Sequence, residues 1–201
     1  ILEPDRAGTH AQRMARAISN EVPKLAINNG SWENLVPSAN TLFIATIGLD
    51  IVRNRLTSQE IQDAEGAIHE RLSLIDRTGA WTDIRRAAWG AWEIYKGIRT
   101  TPDNGYFDSI TAQISDDGVT PVTMHYAYSR LAGEDTRSGK SLYMDVLEHT
   151  GIDTRYYDNP RLEKFFRWLM GIAITPNREH PLIGDTGYRH GVGNHVAYWR
   201  I

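Results

Sequence analysis

Cysteine is absent from this sequence of 201 residues. Its absence excludes disulfides, thiolate metal centres and cysteine nucleophiles, and it suits a periplasm as well as a cytosol. Long apolar runs are missing too. The longest, Leu42 to Val52, is interrupted by Thr46, Gly48 and Asp50 and falls short of the ~20 residues a membrane-crossing helix needs. No membrane partner is therefore expected. Charge of one sign is scarce: the formal net charge is −3, and no run of Lys or Arg forms a positive face. That argues against a nucleic-acid partner. An acidic substrate is not excluded, because a few local arginines can hold a carboxylate on an acidic protein. The sequence opens with neither an initiator Met nor a secretory leader, so it is expected to begin after processing or inside a longer protein.

What is present is ordinary for a globular chain: 41% hydrophobic and 23% charged residues. The length allows one sizeable core, or one domain and the start of another. The spacing of apolar residues predicts a mainly α fold. Met14, Ala17, Ile18 and Val22 form a helical stripe within Ala7 to Val22. Leu35, Ala39, Leu42, Phe43 and Ile47 predict a second helix with Pro37 in its first turn, where a proline costs least. Between them, Ile27-Asn28-Asn29-Gly30-Ser31 is a turn.

Thr57-Ser58-Gln59-Glu60 is a capping box, with Glu60 three residues after Thr57. Behind it, Ile61, Ala64, Ile68, Leu72 and Ile75 keep helical spacing. After Gly79 the spacing returns as Trp81, Ile84, Ala88, Trp92 and Tyr95. Two such helices predict an antiparallel hairpin. A turn-rich stretch is expected from Thr100 to Asp117, then helices at about Val122–Ala132, Ser141–Thr150 and Pro160–Ile174. From Thr175 glycines punctuate a run ending Val196-Ala197-Tyr198-Trp199, which predicts strand.

Three segments could carry chemistry. Asn28-Asn29-Gly30-Ser31-Trp32 sits at a helix–helix break, where an Asn amide can donate to a carboxylate or can simply cap and turn the chain. Asp117 to Arg130 brings His125, Tyr126, Tyr128 and Arg130 within about two helical turns, either as an acid/base site or as an amphipathic packing face. The third runs from His180 through Asp185 to His190 and His195. Its histidines could hold zinc, but His190 and His195 lie five apart on a glycine-rich loop and not one helical turn apart. No metal and no cofactor are expected.

Together these segments resemble the heparinase II/III and alginate lyase superfamily of polysaccharide lyases, from about residue 20 to residue 190. Asn28-Asn29-Gly30-Ser31-Trp32 resembles its Asn-His-Gly-Thr-Trp segment. Thr123-Met124-His125-Tyr126-Ala127 is similar to its Ser-Pro-His-Tyr-His segment, and Pro181-Leu182-Ile183-Gly184-Asp185-Thr186 to its Pro-x-x-Gly-Asp-Ser entry into a β-sandwich. The resemblance implies an incomplete α/α toroid of antiparallel helical hairpins over residues 1–175. Residues 176–201 would lead into a truncated β-sandwich, with the remainder of both domains missing.

It also implies β-elimination at a uronic acid in an anionic polysaccharide or oligosaccharide, in a secreted or periplasmic setting. Asn28 would neutralise the carboxylate, Tyr126 would act as acid, and His125 would be base or orienting partner. Asn29, Trp32, Tyr128 and Arg130 would bind substrate. The chain departs from the pattern at Asn29, where the family often has His, and at Ala127, which replaces a second His. The long separation of the first two motifs leaves Tyr128 as a rival to Tyr126.

Two other functions compete. A glycoside hydrolase would need two carboxylates about 5–10 Å apart, drawn from Asp83, Glu93, Asp116, Asp117 and Asp185. A carbohydrate-binding role could use Trp81, Trp89, Trp92 and Tyr95 as stacking surfaces, although their helical spacing also suits core packing.

Overall fold

Apolar residues at helical spacing become helices wherever the computed structural model describes the chain, which is at residues 6–112, 114–116, 139–156 and 158–171. Those residues form seven α-helices and no strand, so the chain is mainly helical as expected. It divides into two compact units, Ile1–Arg99 and Thr100–Ile201. The expected boundary at 175/176, the helix at Val122–Ala132 and the strand beyond Thr175 lie outside the described residues.

The first unit holds α1 (Ala7–Glu21), α2 (Trp32–Val52), α3 (Ser58–Leu72) and α4 (Thr82–Tyr95). Helix α1 buries Ala11, Ala15 and Ile18, with Val22 continuing the line in a short 3-10 turn. This corrects the predicted stripe: Met14 and Ala17 are exposed. Alanines let α1 lie close against α3, while the Met14 sulfur covers Gly48 of α2. A Cβ at Gly48 would come within 3.0 Å of that sulfur.

Helix α2 is the hub. It packs most extensively on α4 and also meets α3 and α1, and for that reason it buries residues on several faces, among them Leu35, Ala39, Leu42, Phe43 and Leu49. A helix apolar on several faces is one surrounded by partners. The span Trp32–Arg55 is long and apolar enough to cross a membrane by length and composition, and about half of its most apolar stretch is buried inside the protein. The helix also starts earlier than the sequence spacing suggested, which leaves Pro37 inside it and not in its first turn. Pro37 and Glu33 are both exposed. The Glu33 carbonyl that loses its i+4 donor therefore lies near the surface, where water can take its place.

Helix α3 starts at the capping box. The Thr57 side chain accepts from the Glu60 N–H, and the Glu60 carboxylate accepts from the Thr57 N–H at 2.9 Å. Helices α3 and α4 rest their backbones on α2 more than on each other. The expected hairpin is closed by side chains: His69 stacks on Trp92 at 5.7 Å, and both Tyr95 and Lys96 donate to Glu65 at 2.8 Å.

The second unit contains α5 (Asn104–Thr111), α6 (Gly139–His149) and α7 (Pro160–Gly171). Helix α5 lies where turns were expected. Asp103 caps it, accepting from the Tyr106 N–H, and the buried Tyr106 ring packs edge-on against Tyr143 with centroids 4.7 Å apart. Cap and aromatic burial outweigh the cost of Gly105 in a helix. Tyr156 joins this cluster through Phe107. Burial, then the nearby Asp153, Tyr143 and Asp103, push the Tyr156 phenol up from its ordinary pKa.

Candidate functional site

The loop between α1 and α2 follows from its residue types. Asn28 makes a local turn: its Oδ1 accepts from the Gly30 N–H at 3.0 Å and its backbone carbonyl accepts from the Ser31 N–H at 3.0 Å. This is the Asx-turn chemistry favoured by Asn before Gly. Ser38 Oγ donates to the Ala26 carbonyl at 2.8 Å and ties the loop to α2. Asn28 is exposed, and its Nδ2 amide makes no hydrogen bond with the described residues. Trp32, the first residue of α2, is 52% exposed. Ser31 precedes it in extended conformation without a side-chain cap bond, so first-turn N–H groups of α2 remain open to solvent or ligand.

Asn29, expected to bind substrate, has its side chain engaged within the fold. Its Oδ1 accepts from Arg85 Nη1 at 2.5 Å and from the Asp76 N–H at 3.0 Å, and its Nδ2 donates to the Leu74 carbonyl at 2.9 Å. Its backbone carbonyl accepts from Arg85 Nη2 at 2.7 Å. The side chain is a clasp between this loop and the α3–α4 connection.

Arg85 is the centre of that clasp and is 1% exposed. Besides Asn29 it donates to the Ala80 carbonyl at 2.7 Å and the Asp76 carbonyl at 3.0 Å. Two unusual backbone conformations wrap the connection around it: Gly79 at φ 118° and Trp81 at φ 57°. A side chain is rarely tolerated at either. Burial lowers the Arg85 pKa, opposed by the charge of Asp76, yet a guanidinium keeps its proton at any physiological pH.

Sequence reasoning passed over Arg85. The signal was its position, four residues after Trp81 and three before Ala88, on the buried face of α4.

The other proposed ligands divide clearly. His125, Tyr126, Tyr128 and Arg130 lie outside the described residues, as do His180, Asp185, His190 and His195. No group of three His, Cys, Asp or Glu residues able to hold a metal occurs among the described residues. Of the acids weighed for hydrolysis, Asp83 is buried and Glu93 is held by Arg77 and Arg99, each at 2.5 Å. These two stand ten residues apart on one helix, about 15 Å along its axis, too far for a hydrolytic pair. Asp116 pairs with Arg161; Asp117 and Asp185 lie outside the described residues.

The aromatic set packs within the fold. Trp89 Nε1 donates to the Ile75 carbonyl at 3.0 Å, and the Arg77 guanidinium lies 4.0 Å from a Trp89 ring centroid. Trp92 is buried against His69, and Tyr95 donates to Glu65.

No family model, curated protein or solved structure matches this chain. The residues themselves carry the functional reading.

Proposed function

We propose that the chain is part of a polysaccharide lyase that cleaves a uronate polymer by β-elimination, built on an incomplete α/α toroid leading into a β-sandwich and acting in a secreted or periplasmic setting. The observation that supports this best is the division of labour at the adjacent asparagines. Asn29 is engaged in holding the loop, while the Asn28 amide is exposed and its Nδ2 is bonded to none of the described residues.

In the reaction the uronate carboxylate gains charge as the C5 proton leaves. The Asn28 amide donates to that carboxylate and stabilises the developing charge. A base removes the C5 proton, the C4–oxygen bond breaks, and a C4–C5 double bond forms. Tyr126 donates its phenolic proton to the departing oxygen, and His125 serves as base or orients the tyrosine. Trp32 offers a face for a sugar ring.

The test is a panel of uronate polysaccharides assayed for the ultraviolet-absorbing unsaturated product. New absorbance supports the lyase. New reducing ends without it point to hydrolysis, and binding without any product points to a carbohydrate-binding role.

A further inference from the structure

Arg85 carries a full positive charge that the fold does not neutralise locally. Its acceptors are all neutral: the carbonyls of Asn29, Asp76 and Ala80, and the Asn29 side-chain oxygen. It makes no ion pair among the described residues, and the Asp76 carboxylate acts on it only through space. Its cover is thin, because every residue from Asp76 to Ala80 is exposed, as are Asn28 and Gly30 on the facing loop. A charge just under such a layer projects its field to the surface, since little low-dielectric material intervenes and the Asp76 carboxylate offsets it without pairing with it. The residue it grips twice is Asn29, and the residue just before it in the chain is Asn28.

We propose that Arg85 is a specificity-determining residue whose buried cation makes the Asn28–Trp32 loop favour a carboxylate-bearing sugar over a neutral sugar of the same shape. This rests on reading that loop as the uronate-binding face. An amide alone discriminates weakly, because a hydroxyl can accept its hydrogen bond as well as a carboxylate can. The cation beneath it adds a preference for charge of about fivefold to tenfold at low salt, which is the Coulomb attraction of unit charges about 12–17 Å apart at an effective dielectric of about 20.

The experiment titrates the full chain by calorimetry with a mannuronate tetramer and with its carboxyl-reduced, neutral counterpart. The readout is the ratio of the two dissociation constants. Arg85→Lys keeps the charge and is expected to keep the wild-type ratio while lowering the Tm. Arg85→Met removes the charge and is expected to lose about fivefold to tenfold in the ratio.

Should Arg85→Met fail to fold, Asn29→Asp serves instead. It retains the oxygens that Arg85 and the Asp76 N–H use, pairs the guanidinium, and is expected to lose the same preference. A folded Arg85→Met or Asn29→Asp with the wild-type ratio overturns the inference. So does an equal loss in folded Arg85→Lys, which would make geometry and not charge the cause. If those results come with unsaturated product from the wild type, the lyase reading stands alone. If the wild type binds neither tetramer, or shows no preference for the acidic one, this inference falls, and the lyase reading falls with it when no uronate polymer yields unsaturated product.

Discussion

Arg85 donates to both oxygens of Asn29, 2.5 Å to the side chain and 2.7 Å to the backbone, across 56 residues of sequence. This pair joins the α1–α2 loop to the α3–α4 connection inside the first unit. Asn29→Ala leaves a buried guanidinium, the Leu74 carbonyl and the Asp76 N–H short of partners at once. The expected loss is about 2–3 kcal/mol, because hydrogen bonds to buried charge are the costly ones to remove. Asn28→Ala breaks one exposed bond to Gly30 and should cost less than about 1 kcal/mol. Urea denaturation of both variants checks the contrast; equal losses would remove the distinction between clasp and ligand.

The capping box makes a second test. Thr57→Ala should destabilise the first unit by about 1 kcal/mol through loss of the N-cap, and amide exchange should rise in the first turn of α3 before it rises elsewhere. The Thr57 N–H, then the Thr57 hydroxyl, hold the Glu60 carboxyl below its ordinary value of 4.5. Its contribution is therefore present above about pH 4.5 and lost as pH falls through the lower folded value. An unchanged acid limb in Glu60→Gln would contradict this.

Some of the fold was legible because local and tertiary signals agreed. Thr57–Glu60 is a local device needing no distant partner, and the residues behind it bury at Ala64, Ile68 and Leu72 as their spacing required. In α1 the stripe was right at Ile18 and Val22 and wrong at Met14 and Ala17, which were chosen over the buried Ala11 and Ala15. Close helix packing selects small residues, and sequence spacing does not show that. Helix α5 was hidden by Asn104-Gly105, whose turn preference loses to the Asp103 cap and the burial of Tyr106. At the site, Asn28 and Asn29 read in sequence as residues with separate substrate roles, and nothing there showed the structural one that Asn29 holds. Their division of labour depends on Arg85, far along the chain.

Glu65 and Tyr95 give a two-sided pH dependence. Burial works against the Glu65 carboxylate, but the hydrogen bonds from Lys96 and Tyr95 prevail and lower its pKa from 4.5. That stabilisation is fully present above 4.5 and disappears as pH falls through the folded value. Burial and then Glu65 raise the Tyr95 phenol above its ordinary 10.0. Stability from Tyr95 is therefore present below pH 10.0 and declines above it. Tyr95→Phe should flatten the alkaline limb of a Tm–pH profile and raise the pKa of Glu65. A wild-type profile in that variant would contradict the assignment.

Trp81 sits in the left-handed region at φ 57° and ψ 41°, immediately before α4. Here the usual ranking of small residues reverses. Trp81→Gly should be more stable than Trp81→Ala by about 1 kcal/mol, since only the alanine pays for a Cβ in that conformation. Both lose the half-buried indole equally, so the comparison isolates the backbone. Equal stability, or a more stable alanine variant, would show that the left-handed turn is not held.

The most direct measurement of the central claim is the steady-state rate of unsaturated-product formation on a cleaved uronate polymer, compared for wild type, Asn28→Ala, Tyr126→Phe and Tyr128→Phe. Removing a transition-state donor at Asn28 or the proton donor at Tyr126 should lower kcat by about 10²–10³-fold with little change in KM. Tyr128→Phe should remain near wild type. Normal turnover in Asn28→Ala, in a protein of wild-type stability, would contradict the account.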